Sequence, residues 1–409
     1  MAKMELDLGD GYTREQPLAG RNSVSILLGA GFSVPKGYPT GKVVNESLEN
    51  FDQFPVDFSP AGELAISKIA SNHQLSNQYQ KQFVLCKRLI KKYSKLNGGF
   101  DYEDFFDFIK SREIFLPQYE KQSEDLSDEF WSYQNLVSGI EPIYNQMVSY
   151  ILRDGENKTW YDGEPNQLGP IDNYDGFLKA VQEWSKESIV NVHTLNHDML
   201  FESFRRTEYL AGLISDGFDE YGSPYYGRLH LGNASYNVRL ERYKARYNTP
   251  VRLYKLHGSL DYILYYRTID NCILIPDNYV KLKEKISPMD LMKARNRKMG
   301  YEQYPFAYHA DFLTGAKSKI KRYNEPILFK KLFKRFRNNL RTADKLIVIG
   351  YGGKDAKINE MIHENFNFKA RPVYVFDPYP SDALIKFASS VRAKVIEKSV
   401  SDFTLQDME

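Results

Sequence analysis

The chain has 409 residues and carries 55 basic against 53 acidic ones, so its net charge of +2 offers no global electrostatic reason to bind nucleic acid or an anionic membrane. That length has room for roughly two or three average domains; Met1–Gly20 shows no basic start followed by an apolar stretch, and no run of about 18 apolar residues occurs anywhere, so a cytoplasmic protein is expected. Two widely separated cysteines, Cys86 and Cys272, exclude a disulfide scaffold and suit a reducing compartment.

The first predicted strand, Ser23 to Leu28, breaks into Gly29-Ala30-Gly31-Phe32-Ser33. A glycine turn there lets backbone approach a phosphate and lets the Ala30 and Gly31 amides point at it. Val34 stands where G-x-G-x-x-G needs its third glycine, so an ordinary dehydrogenase fingerprint is not satisfied. Ser33 suits either a nucleotide contact or a helix N-cap. From Gly41 to Ser185 the pattern is almost wholly helical. Tyr102, Phe105, Phe106 and Ile109 share one face, as do Tyr174, Phe177, Leu178 and Val181. Leu136, Ile140, Ile143 and Met147 form another, which Pro142 is expected to kink.

The next strand runs through Asn191-Val192-His193-Thr194 into Leu195-Asn196-His197-Asp198. His193 and His197 have the spacing of a helical metal pair but fall on a strand and its turn, which favours local hydrogen bonding. Phe201 to Val251, with the turn signal Asp219 to Pro224, reads as an insertion before Val251 to Leu256 runs into His257-Gly258-Ser259. Ala316 to Leu340 is the most basic stretch. Leu328, Leu332 and Phe336 lie at helical spacing, so an amphipathic helix with a solvated basic face is expected, ahead of a nucleic-acid or acidic-protein contact. Leu346 to Ile349 then meets Gly350-Tyr351-Gly352-Gly353, after which Asp355 and Asn359 open a helix. Val373 to Phe376 ends in Asp377, placed to bond a ribose hydroxyl or to make a plain turn.

Four strand ends carrying Gly, Asn, His and Asp predict one convergent nucleotide site on an open α/β sheet. The expected fold is a Rossmann-like parallel sheet flanked by helices, with a large helical insertion after the first strand. The expected division is an N-terminal arm (1–20), a nucleotide core (21–40 and 186–400, interrupted at about 201–250) and a helical subdomain (41–185).

In order, these motifs resemble those of the sirtuin superfamily: a GAG-x-S turn, a T-x-N-x-D strand end, an HG pair and a late glycine-rich strand end, together spanning Asn22 to Asp377. The forms TLNHD, KLHGS and GYG with a following Asn are closest to the bacterial sirtuin-like branch that acts in antiphage defence by hydrolysing NAD. Deacylating sirtuins carry a zinc ribbon of two C-x-x-C pairs, which two cysteines cannot supply. Their G-I-P-x-F-R loop also has no Phe-Arg counterpart in Gly37 to Gly41, and here 61 residues separate Asn196 from His257.

The resemblance implies cleavage of NAD to nicotinamide and ADP-ribose, without a metal, by a NAD-depleting effector of abortive infection. Asn196 would hold the attacking water or the ribose hydroxyls, Asp198 would support the nicotinamide or the developing cation, and His257 would act as general base. Plain alternatives are a turn-forming Asn196 and a capping Asp198. The implied NAD contacts are Gly29, Ala30, Gly31, Ser33, Thr194, Gly258, Gly350, Tyr351, Gly352, Asn359 and Asp377. The resemblance further implies a homo-oligomer working with a HerA-type ATPase, nucleic acid being met only indirectly and no membrane being involved. With only about thirty residues after Asp377, the trigger is expected from another chain. The alternatives are a module that senses NAD or ADP-ribose, or a protein deacylase. A nuclease is weaker still, for want of clustered carboxylates.

Overall fold

The computed structural model describes residues 22–58, 62, 64–66, 78–127, 130–153, 172–269, 273–283, 286, 288–295, 300–303, 309–315 and 317–409. The expected N-terminal arm, Cys272 and Ala316 lie outside the described residues.

Seven parallel strands make the central sheet: β1 (Asn22–Leu28), β2 (Ser188–Thr194), β3 (Ile214–Ser215), β4 (Val251–Lys255), β5 (Lys345–Ile349), β6 (Val373–Phe376) and β7 (Lys394–Ile396). Their spatial order is β7-β6-β5-β1-β2-β4-β3. Near-continuous apolar strands form such a sheet because both of its faces are covered. Ile26 and Leu28 pack with Phe177, Leu178 and Val181 of a helix at Asp175–Glu187 on one face. Leu27 on the other face joins Leu332, Phe336 and Leu340 of a helix at Phe329–Thr342. The chain leaves β1 toward β2 but leaves β5 toward β6, so the topological switch lies between β1 and β5. Register keeps the strand ends level: Leu28 pairs with Thr194 on one side and Ile349 on the other.

The segment after β1 builds its own core from α1 (Gly41–Glu49), α2 (Gln78–Asn97), α3 (Tyr102–Ile109) and α4 (Ile140–Leu152), with Leu48, Leu89, Phe105, Tyr144 and Met147 at its centre. Asp101 caps α3 by accepting from Glu103 N and Asp104 N. Among the described residues the stretch is mostly helical, apart from Val56–Phe58 and Leu64–Ile66, which pair as an antiparallel ribbon. One expectation is corrected here. Leu136 belongs to a separate short helix, Tyr133–Ser138, and Gly139 ends it, so α4 begins at Ile140. Pro142 is therefore the third residue of α4, where the amide it lacks has no helical acceptor, and it opens the helix without kinking it.

The polar, aromatic segment after Phe201 folds as strands. Gly217–Asp219 and Arg242–Arg246 join Tyr262–Ile269 and Ile273–Lys281 in one four-stranded sheet, and Tyr225–Leu231 and Ala234–Arg239 join Leu291–Arg295 and Gly300–Gln303 in another. Tyr225, Ile263, Tyr265, Val280 and Leu291 share a small core between them. A buried charge cluster ties these sheets to the nucleotide core: Asp216, just after β3, pairs with Lys281 and, at 2.8 Å, with Arg205. No helix of the described residues is long and apolar enough to cross a membrane.

Candidate functional site

At the switch point the two glycine turns interlock. Gly29 N donates to Ile349 O at 3.0 Å and Gly31 N to Gly350 O at 2.9 Å. A Cβ on Gly29 would stand 2.6 Å from Gly350 O, and one on Gly350, whose φ is +62°, would stand 2.2 Å from Phe32 N. These glycines are thus required by each other. The expectation that the Gly31 amide points at a phosphate is corrected, because that N–H is already donated to Gly350. Gly352 differs: it is exposed and a Cβ there would meet nothing within 4 Å.

Asn196 leaves the end of β2 and folds back over the first turn. Its Nδ2 donates to Gly29 O at 2.9 Å and to Ser33 Oγ at 3.0 Å, while its own amide donates to Thr194 Oγ1 at 3.0 Å. Both hydrogens of the side-chain amide are committed, so Oδ1 is the group left to address a ligand. Ser33 is buried at the N-cap position of the short turn Val34–Lys36, but its side chain makes no capping bond there. Its hydroxyl accepts from Asn196 and lies near enough to the Asp198 carboxyl to favour the ionised form. Asp198 also accepts from Leu200 N at 3.0 Å in a local turn, but Met199 stands at the N-cap of Leu200–Ser203, so Asp198 is not the helix cap that its plain alternative offered. Burial pushes the Asp198 carboxyl above the usual range, against the opposing pull of Lys255. Lys255 lies beneath this loop, bonded to the Asp198 carbonyl and paired with Glu202 at 3.1 Å.

His257, after β4, is buried in a second group. Its Nε2 lies 3.5 Å from the Tyr323 hydroxyl and 3.7 Å from Asp355 Oδ2. Two helices complete the surroundings, α6, numbered after α5 (Asp175–Glu187), at Ser318–Arg322, and α8, numbered after α7 (Phe329–Thr342), at Ala356–Asn365. Lys319 of α6 lies 3.1 Å from both Asp355 Oδ2 and Glu103 Oε2 of α3. Burial and then the Lys319 cation push the His257 imidazole down to about 3, with Asp355 opposing, so it is neutral at neutral pH. The two groups meet through His197, whose ring centre is 6.3 Å from that of His257. Gly258 takes φ +82° with Asp311 O 2.7 Å from where a Cβ would stand, so the residue after the histidine must be glycine.

The remaining sequence candidates are mainly framework. Tyr351 is buried and its hydroxyl donates to Asn359 Oδ1 at 2.8 Å, while Asn359 Nδ2 donates to Gly353 O at 2.8 Å. Together they brace the second glycine turn. Asp377, half-buried at the end of β6, accepts from Tyr379 N at 2.9 Å in the plain turn. His193 stacks on Tyr254 and shares a 3.4 Å contact with Asn339, and His197 packs on Phe312. Among the described residues no group of three or more His, Cys, Asp or Glu is placed to hold a metal ion.

The model of the SIR2-like domain family matches residues 190–398, more than half of the 409. The chain belongs to the SIR2-like family. No curated protein matches it. Solved structures similar to this SIR2-like chain include a Sir2 homologue in complex with NAD, at 12% identity and a TM-score of 0.37, covering 94% of this chain and 87% of that one. Another, described for the mechanism and regulation of Sir2 enzymes, is 13% identical with a TM-score of 0.33, covering 94% and 90%. A Sir2 bound to an acetylated peptide is 11% identical with a TM-score of 0.34, covering 96% and 94%.

Sequence reasoning missed three residues of this SIR2-like site. Lys319 stood in the basic stretch assigned to a solvated face, yet it is buried. Glu103 read only as an acidic residue in the first turn of α3. Asp355 was legible only as a helix start, although its position just after the second glycine turn was the available signal. A cavity of about 960 Å³ lies elsewhere, between the helical insertion and the Tyr262–Lys281 hairpin, and none of the strand-end candidates lines it.

Proposed function

We propose that the chain is an NAD glycohydrolase, converting NAD and water to nicotinamide, ADP-ribose and a proton. The observation that carries this reading is Asn196, anchored by Ser33 and Gly29 at the switch point with only its carbonyl oxygen free, on the same sheet edge as a neutral His257. Family membership supports NAD as the substrate.

In this reading the Ala30 amide and the bare surface at Gly352 receive the phosphates, and Asp377 faces a ribose hydroxyl of the adenosine half. Departure of nicotinamide leaves an oxocarbenium-like ribosyl carbon, and Asn196 Oδ1 accepts a hydrogen from the water that attacks it. His257, being neutral, has the lone pair needed to take the proton that this water loses. Asp198 acts through Ser33, holding the hydroxyl on which Asn196 rests. We further propose the setting that the motifs imply: an oligomeric antiphage effector that depletes NAD, triggered through a HerA-type ATPase.

The test is NAD consumption by the purified chain beside Asn196→Ala and His257→Ala, with and without the candidate ATPase, with products separated by chromatography. Nicotinamide and ADP-ribose from wild type, and a fall of roughly 100-fold or more in each variant, are expected. Intact NAD in every sample would overturn the reading.

A further inference from the structure

Within the proposed site, the position of the His257 proton is set by what surrounds Nε2. Asp355 Oδ2 lies 3.7 Å from Nε2, longer than a hydrogen bond, so its influence is that of a charge, which favours the tautomer that turns an N–H and not a lone pair toward it. Asp355 is itself held twice. Its Oδ1 caps α8, accepting from Lys357 N and Ile358 N at 3.1 Å, and its Oδ2 faces the Lys319 ammonium. Lys319 is in turn tied to Glu103, so the helical insertion and the nucleotide core both restrain this carboxylate.

The other titratable groups around the imidazole do not compete for this role. Burial keeps Tyr323 protonated and His197 neutral; the Tyr323 hydroxyl, 3.5 Å from Nε2, can accept from Nε2–H or donate to a bare Nε2, so it follows the tautomer and does not set it. Lys255, two residues earlier on β4, is turned to Glu202. Asp311 reaches Gly258 through its backbone while its carboxylate pairs with Arg322 at 2.9 Å.

We propose that Asp355, braced by Lys319, is a positioning residue that holds His257 as the Nε2–H tautomer and so makes Nδ1 the atom that takes up the proton. The use of that proton rests on the glycohydrolase reading, whereas the tautomer is independent of it.

The experiment is nitrogen NMR of the full chain labelled at histidine, for wild type, Asp355→Ser, Lys319→Met and Lys319→Arg, with NAD turnover measured on the same samples. Serine keeps a good helix N-cap while withdrawing the carboxylate. In wild type His257 is expected as the Nε2–H form, and Asp355→Ser should give a mixture of tautomers with kcat down roughly ten-fold and KM little changed. Lys319→Met should move protonation of His257, and the acid limb of the rate profile, to higher pH, and Lys319→Arg should restore both. An Nδ1–H form in wild type, or a pure Nε2–H form in Asp355→Ser, would overturn the proposal. Should Asp355→Ser fail to fold, the wild-type tautomer and the Lys319→Met shift still decide. Dependence of the tautomer on Asp355 in a chain that leaves NAD untouched would uphold the positioning role and sink the glycohydrolase.

Discussion

His193 shows how far a single residue departs from its sequence reading. Its spacing from His197 suggested a metal pair to be weighed, but in the fold its ring stacks on Tyr254 with Phe336 at its edge, beneath the sheet. Burial pushes its imidazole down from 6.5 to about 3. Between those values the unfolded chain carries a proton that the fold does not, so the stability is whole above pH 6.5 and is lost as pH falls through this window, by about 1.4 kcal/mol per pH unit. Urea melts at pH 7.5, 6.5 and 5.5 should show this loss, and His193→Phe should reduce the slope below pH 6.5 by about that amount. An unchanged slope would mean that His193 is protonated in the fold. The strand pattern gave His193 its place, whereas its stacking on Tyr254 depends on a strand pairing 61 residues away in sequence.

Among elements, the pair of glycine turns behaves as one unit. Both were legible from apolar runs that stop at glycines, because a strand end, a tight turn and a helix start leave local signatures. Their reason for being glycine was not legible. Gly29, Gly31 and Gly350 are bare because each turn occupies the space of the other, while Gly352 is bare with room to spare. Gly350→Ala is expected to cost more than about 2 kcal/mol, since it adds left-handed strain to a backbone clash. Gly352→Ala should change stability by less than about 0.5 kcal/mol while weakening NAD binding, if that surface receives the phosphates. Thermal melts and NAD titration of the two variants separate these effects, and equal destabilisation would refute the distinction. The error over Pro142 belongs to the same scale: periodicity joined Leu136 to Ile140, and only the break at Gly139 shows that the proline opens a helix.

For the molecule as a whole, the joint between the nucleotide core and the antiparallel sheets is the buried cluster of Asp216, Lys281 and Arg205. Removing one partner of such a cluster leaves an uncompensated charge, so Lys281→Met should destabilise by about 3–5 kcal/mol. Adding Asp216→Asn should recover part of the loss, and a double-mutant cycle by urea unfolding measures it. Additive losses would show that the two residues do not depend on each other. The basic face of α7 is engaged in a milder way. Lys331 and Arg335 lie over the rings of Tyr243 and Tyr247, so part of the expected solvated face covers an inserted strand.

The sequence by itself determined the parallel sheet, its glycine turns and the strand-end positions of Asn196 and His257, because strand burial and turn chemistry are written in neighbouring residues. It also excluded a four-cysteine zinc ribbon by count. Only the tertiary structure decided that Asn196 spends both amide hydrogens on Gly29 and Ser33, and that Lys319, Glu103 and Asp355 gather around His257. Those contacts join segments dozens to hundreds of residues apart. Hydrogen bonds and charge pairs of that range leave no periodicity in the chain, since each partner reads locally as an ordinary helix residue, cap or surface charge until the fold brings it to the other.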